Sequence, residues 1–193
     1  MKSAILCVLA FLLVPLPSHA QVPVFEVTPQ TSSIQFYVKS SVTLVGKFDK
    51  WDATLTFPST DVTTGVLLIK IDAATVDTGS GMKNNKLKSK DFFDVAENPT
   101  IMFRSTKVVQ TGPTTFEVDG EFTIRGASKP ETLKLTISGK GTGSGTITGV
   151  MTFNRKDYGM NKGIPFVKIG DHVDVTINLK VKQVSGPRVV YKQ

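Results

Sequence analysis

Phe116-Glu117-Val118-Asp119-Gly120-Glu121-Phe122-Thr123-Ile124-Arg125 is the stretch that decides the fold. Apolar or small residues take every second position from Phe116 to Ile124, and the residues between them are charged or hydroxylated. A period of two belongs to a half-buried β-strand, whereas an amphipathic helix needs apolar residues three or four apart. Working outward, the same alternation recurs. Ile34, Phe36 and Val38 form one such set, Trp51, Ala53, Leu55 and Phe57 another, and Leu67, Ile69 and Ile71 a third. Beyond a break come Ile101 and Phe103, then Leu133, Leu135 and Ile137, then Ile147, Gly149, Met151 and Phe153, and last Val173 to Val181. With the central stretch these make eight strands.

Short connections such as Thr111-Gly112-Pro113 and Gly126 to Pro130 read as hairpins, so the sheet is expected to be an antiparallel meander. Eight such strands with one apolar face close into a barrel able to hold one small ligand, and closure removes the exposed edges. One helix is expected, between Met82 and Lys90 after the third strand, with Leu87 on its apolar side. The fold class is therefore all-β, an eight-stranded antiparallel β-barrel with one short helix.

The N-terminus reads as a cleaved signal peptide, residues 1–20. Lys2 precedes an apolar run from Ala4 to Leu16, and Ser18 and Ala20 give a small-residue cleavage site before Gln21. That run is shorter than the roughly 20 residues a membrane-spanning helix needs. Residues 21–184 read as a single barrel domain and 185–193 as a flexible C-terminal tail. The expected location is the periplasm or outside the cell. The only cysteine, Cys7, falls in the leader, so the mature chain is expected to rely on its core and not on disulfides. Lys and Arg outnumber Asp and Glu, 23 to 16, without a run of like charge. Such a surface allows transient contact with an anionic membrane surface but calls for no nucleic acid.

Enzyme chemistry finds little support. The chain has 2 histidines, one of them in the leader, which leaves His172 and excludes a two-histidine metal site. No G-x-S-x-G elbow supplies a nucleophile for His172 to activate. Gly139-Lys140-Gly141-Thr142-Gly143-Ser144-Gly145 joins two strands and does not open a helix, so it reads as a hairpin and not as a phosphate cradle. No catalytic residue, metal or required cofactor is expected.

Several separated segments together resemble the YceI-like family of bacterial polyisoprenoid-binding proteins. They are Leu87 to Asp94 (LKSKDFFD), Asn98 to Phe103 (NPTIMF), Phe122 to Pro130 (FTIRGASKP), Asn154 to Met160 (NRKDYGM) and Ile169 to Val173 (IGDHV), within roughly Phe25 to Gln183. The resemblance implies an extended lipocalin-like barrel, usually exported, with an isoprenoid or quinone-like lipid in an internal tunnel. It also marks a departure. Where the family usually has an Arg-Asp pair and a His before the helix leucine, this chain has Lys83, Asn84 and Lys86.

The expected function is non-enzymatic carriage or storage of an isoprenoid or similar long-chain amphiphile, with a hydrophobic small molecule as partner and a homodimer as a further candidate. Candidate lining residues are Phe36, Val38, Phe48, Trp51, Phe103, Phe122, Met151 and Phe153 on the strands. Phe92 and Phe93 follow the helix, and as adjacent aromatics only one is expected to face the core, the other gating the mouth. Tyr158, Met160, Ile164 and Phe166 lie in an apolar connection expected to cover the opposite end. Arg104, Asn154 and Arg155 are candidate headgroup partners. Burying ten methylenes gives roughly 8 kcal/mol before association costs, enough without a directional polar group. The strand registers place no charged residue inside. That argues against the first alternative, a lipocalin-like enzyme for a small hydrophobic substrate. The second, an outer-membrane barrel, would need two aromatic girdles, and the chain has 1 Trp and 3 Tyr.

Overall fold

The computed structural model describes residues 21–41, 43–163 and 168–192. The expected leader, together with Ile164 and Phe166, lies outside the described residues. Among the described residues, eleven strand segments and one α-helix follow in chain order: β1 Val24–Val27, β2 Ser33–Ser40, β3 Leu44–Phe48, β4 Trp51–Thr56, β5 Val66–Asp72, β6 Val76–Asp77, α1 Gly81–Lys88, β7 Thr100–Gln110, β8 Thr115–Ile124, β9 Ala127–Ser138, β10 Ser144–Asn154 and β11 Ile169–Ser185.

These segments compose the eight strands of a closed antiparallel barrel. β1 and β2 are two halves of one strand, broken by a 3₁₀ turn at Pro29–Thr31, and both pair with the 17-residue β11. β3 and β4 are likewise halves of one bent strand, as are β5 and β6 around the 3₁₀ turn Ala73–Thr75. From β5 through β7, β8, β9, β10 and β11 each strand pairs with its neighbour, and β1 closes the ring by touching both β11 and β4. The short halves β1, β3 and β6 carry too little alternation to stand out in the sequence.

In the deciding stretch, Phe116, Val118, Gly120, Phe122 and Ile124 are all buried, while Glu117 and Glu121 are exposed. The turn that follows is tighter than expected. Ile124 pairs directly with Ala127, and Arg125 (φ 54°) and Gly126 (φ 73°) both adopt the left-handed conformation of a two-residue type I′ hairpin. Pro130 consequently lies inside β9 and not in a loop. It falls in 127–133, where β9 has no pairing with β10, the edge setting in which proline is tolerated.

The unpaired edges of β9 and β10 flare apart at that end, and Tyr158 fills the seam. It is 1% exposed, packs edge-on against Phe153 (5.2 Å) and Phe122 (5.5 Å), and donates its hydroxyl to Glu131 Oε1 at 2.9 Å. Burial above all, followed by the Glu131 carboxylate, pushes the Tyr158 phenol well above its ordinary range. At the other end of the barrel, the segment expected to be a loose tail is tied down. Val190 exchanges backbone hydrogen bonds with Thr60 and Val62 (2.7 and 3.0 Å), Lys192 N donates to Gln110 Oε1 (2.8 Å), and Tyr191 packs on Phe116. These contacts satisfy backbone groups and bury an aromatic ring, which composition alone did not foretell.

Candidate functional site

The barrel interior is divided. Below its middle, Phe116, Val118, Leu133, Leu135, Ile147 and Leu179 fill the lumen. Above it lies a cavity of about 680 Å³, within the range of small-molecule sites. Its wall comes from β2 (Ile34, Phe36, Val38), β3 (Leu44, Phe48), β8 (Phe122, Ile124), β10 (Phe153) and β11 (Ile169, Val173, Val175). Its cover comes from α1 and the segment after it, and from the 3₁₀ turn Arg155–Tyr158 with Met160. Met82 lines it while 85% exposed, so the cavity reaches solvent beside α1.

Two aromatic clusters shape the wall. Phe36, Phe48 and Phe93 stand 5.6 to 6.3 Å apart, and Phe122 and Phe153 meet at 5.0 Å. Phe36 leans across its strand partner Gly46, where a side chain would collide with the ring: a Cβ there would lie 2.3 Å from Phe36 Cζ. Phe92 and Phe93 are both buried and both line the cavity, contrary to the expectation that one would turn away. After α1 the chain does not run extended. Turn hydrogen bonds from Phe92 N and Asp94 N to Ser89 O, and from Phe93 N to Leu87 O, curl it so that successive side chains need not point to opposite sides.

Of the residues singled out in the sequence, Phe36, Val38, Phe48, Phe92, Phe93, Phe122, Phe153, Met160 and Arg155 line the cavity. Phe103 and Met151 are buried in the core but not on its surface, Tyr158 sits behind it in the seam, and Trp51 is half-buried at the start of β4. Ile164 lies outside the described residues. Arg104 points outward and is exposed opposite Glu121, as the alternation of β7 requires, so it cannot reach a headgroup in the lumen. Asn154 uses its Oδ1 to cap the 3₁₀ turn through Lys156 N (3.0 Å). Tyr158 and Met160 cover the same end as α1 and not the opposite one. Four strands separate the two connections, and in a meander an even number returns the chain to the same rim.

The interior is not free of charge, as the strand registers implied. Arg155 is 6% exposed and faces the cavity, with Lys83 and Lys86 of α1 at its mouth. All three lie on helical turns, where a period of two says nothing about direction. Arg155 is largely committed. Nε donates to Gly170 O (3.0 Å), Nη1 to Met160 O and Lys162 O, and Nη2 to Asp171 Oδ1 (3.2 Å). Asp171 also accepts from Lys156 Nζ (2.8 Å), and that bond, reinforced by the two cations, holds its carboxyl below the usual range. Lys86 Nζ donates to Asp91 Oδ2 (2.7 Å) and lies 5.8 Å from the Phe92 ring centre. Ser40 and Ser41 complete the polar lining, which contains no carboxylate, histidine or thiol among the described residues.

This barrel, with its apolar hollow under a helix, has known counterparts. The YceI-like domain matches residues 25–181. The chain belongs to the YceI-like family. Among curated relatives of this YceI-like protein, a UPF0312 protein of Pseudomonas savastanoi pv. phaseolicola is 32% identical over 120 residues, 60% of this chain and 62% of the relative. That match thus spans less than two thirds of the relative's length. A UPF0312 protein of Shewanella denitrificans is 29% identical over 158 residues, covering 78% of this chain and 83% of its own. Among solved structures, Burkholderia cenocepacia BcnA superposes with a TM-score of 0.73 at 26% identity, over 80% of this chain and 99% of BcnA. A polyisoprenoid binding domain from Saccharophagus degradans gives a TM-score of 0.67 at 13% identity, over 83% and 99% of the two chains, a likeness of fold.

Proposed function

We propose that this YceI-like protein binds a long-chain amphiphile, an isoprenoid or a lipid of similar shape, and carries or stores it without chemical change. The observation that carries the reading is the cavity: about 680 Å³, walled by aliphatic and aromatic side chains, open beside α1 and closed below by packed core. An apolar chain gains roughly 0.8 kcal/mol per methylene on leaving water for such a wall. The Saccharophagus domain with the same fold is described as binding polyisoprenoid, which supports the class of ligand. The outer wall argues for a protein that works in water. Arg104, Glu121, Lys134 and Asp174 face outward on β7, β8, β9 and β11, the reverse of the apolar band of a membrane-embedded barrel. With the leader-like residues 1–20, we place its work outside the cytoplasm.

The test is mass spectrometry of an organic extract of the purified protein beside native mass spectrometry of the same sample. A stoichiometric isoprenoid or other long-chain lipid is expected, lost when Phe92→Asp and Phe93→Asp put charge into the wall. An empty protein that also takes up no added isoprenoid while folded would overturn the proposal.

A further inference from the structure

The charged part of the cavity has one sign. Lys83, Lys86 and Arg155 are its only ionisable lining residues among those described, and all are cations. They are not equally neutralised. Asp171 answers Arg155, shared with Lys156. Asp91 answers Lys86, yet Lys162 and Lys90 also crowd that carboxylate and help hold it ionised, so cations exceed anions at this corner. Lys83 lies one turn before Lys86 on α1 and so shares its side of the helix. Among the described residues no carboxylate stands within ion-pair distance of it. The rest of the lining is apolar apart from two serines.

Resting on the reading of the hollow as a lipid site, we propose that the preferred ligand carries an anionic head, a carboxylate or a phosphate monoester. That head sits at the mouth against Lys83 and Lys86 while its chain lies along the aromatic wall. A neutral head forfeits the charge-assisted hydrogen bonds that two ammonium groups offer beside an apolar surface. An anion also offsets the cation excess, which no other group lining the mouth does.

The experiment compares matched probes: hexadecanoate, hexadecyl phosphate and hexadecan-1-ol, each displacing a neutral solvatochromic dye from the folded protein at low and at moderate salt. Either anion is expected to bind about five- to tenfold more tightly than the alcohol, a preference that shrinks as salt rises. The two anions distinguish carboxylate from phosphate recognition. Lys83→Gln alone should lower the preference, and Lys83→Gln with Lys86→Gln should bring it within about twofold, by weakening the anions more than the alcohol. Lys134→Gln, on the outer wall of β9, should leave the ratio unchanged. Equal affinity for all three probes in the unaltered protein, or a preference that survives the double substitution, would overturn the inference while leaving lipid binding intact. Failure of dye and probes alike to bind would overturn both.

Discussion

Adding a single methyl group at two strand glycines should separate binding from stability, because one faces a hollow and the other a solid core. A Cβ at Gly46 would stand 2.3 Å from Phe36 Cζ and 2.5 Å from Cε1. Restoring ordinary contact near ~3.6 Å means the ring retreats by about 1.3 Å. It has room to do so, since Phe36 lines the cavity. The tilted ring costs about 0.5–1.5 kcal/mol, which the reduced freedom of the unfolded chain offsets by about 0.4–1 kcal/mol. Gly46→Ala should therefore change stability by less than about 1 kcal/mol. If the displaced ring takes the space of one or two ligand methylenes, binding weakens by about 0.8–1.6 kcal/mol, or about 4- to 15-fold. At Gly149 the new Cβ would meet Ile177 Cγ1 at 2.6 Å and Leu135 Cδ2 at 2.7 Å, both buried where the lumen is filled. With no space behind them, Gly149→Ala should cost about 1–3 kcal/mol and leave affinity alone. Urea unfolding followed by the single Trp51 and titration with hexadecan-1-ol read the two quantities. A Gly46→Ala protein several kcal/mol less stable with unchanged affinity would refute the division of the lumen. So would a Gly149→Ala protein weakened only in binding.

Arg155→Lys should lose about 2–4 kcal/mol, because one ammonium cannot replace a planar fork that serves Gly170, Met160, Lys162 and Asp171 together. Hydrogen exchange should then rise first at Met160 and Gly170, and exchange that rose uniformly over the barrel would argue against a local clamp. Asp171 bears on acid stability. Its folded-state carboxyl titrates below the ordinary 3.8, through the Lys156 hydrogen bond first, so its contribution is present above that value and fades as pH falls through the lower one. Asp171→Asn should flatten the acid limb of the stability curve below about pH 4 and leave its slope near neutrality unchanged, as measured by urea midpoints across pH.

The barrel was legible because burial in a closed sheet imposes strict alternation, and β8 obeys it from Phe116 to Ile124. The same rule read Phe36, Val38, Phe122 and Phe153 as inward-facing, which they are. It could not tell the hollow part of the lumen from the filled part. Phe103 and Phe122 are cross-strand partners with the same pattern and the same burial, yet only Phe122 borders the cavity. Turns were harder. Arg125 takes a positive φ that sequence seldom assigns to arginine, which moved the hairpin and left Pro130 looking like a loop residue. Placing the Arg155–Met160 segment beside α1 needed no structure at all, only counting strands between two connections.

What the alternation missed most is also what holds the cover on. Apart from α1, the cavity's roof is made of turns, whose backbone carbonyls lack the partners that a ladder or a helix interior supplies. Two arginines meet that need. Arg125 donates Nη1 to Gly159 O and Nη2 to Lys90 O (2.8 Å), joining the end of the α1 segment to the end of the 3₁₀ turn. Arg155 gathers Met160 O, Lys162 O and Gly170 O from below. A guanidinium suits this work because its donors fan out in one plane toward several acceptors at once. A hydrophobic roof could have contributed packing, but it would have left the buried Met160 carbonyl unsatisfied beside an apolar hollow, at about 1–3 kcal/mol. Arg155, one of the headgroup candidates read from the sequence, is thus largely spent on the protein's own backbone, and Lys83 and Lys86 are the cations at the mouth left with donors to offer a guest.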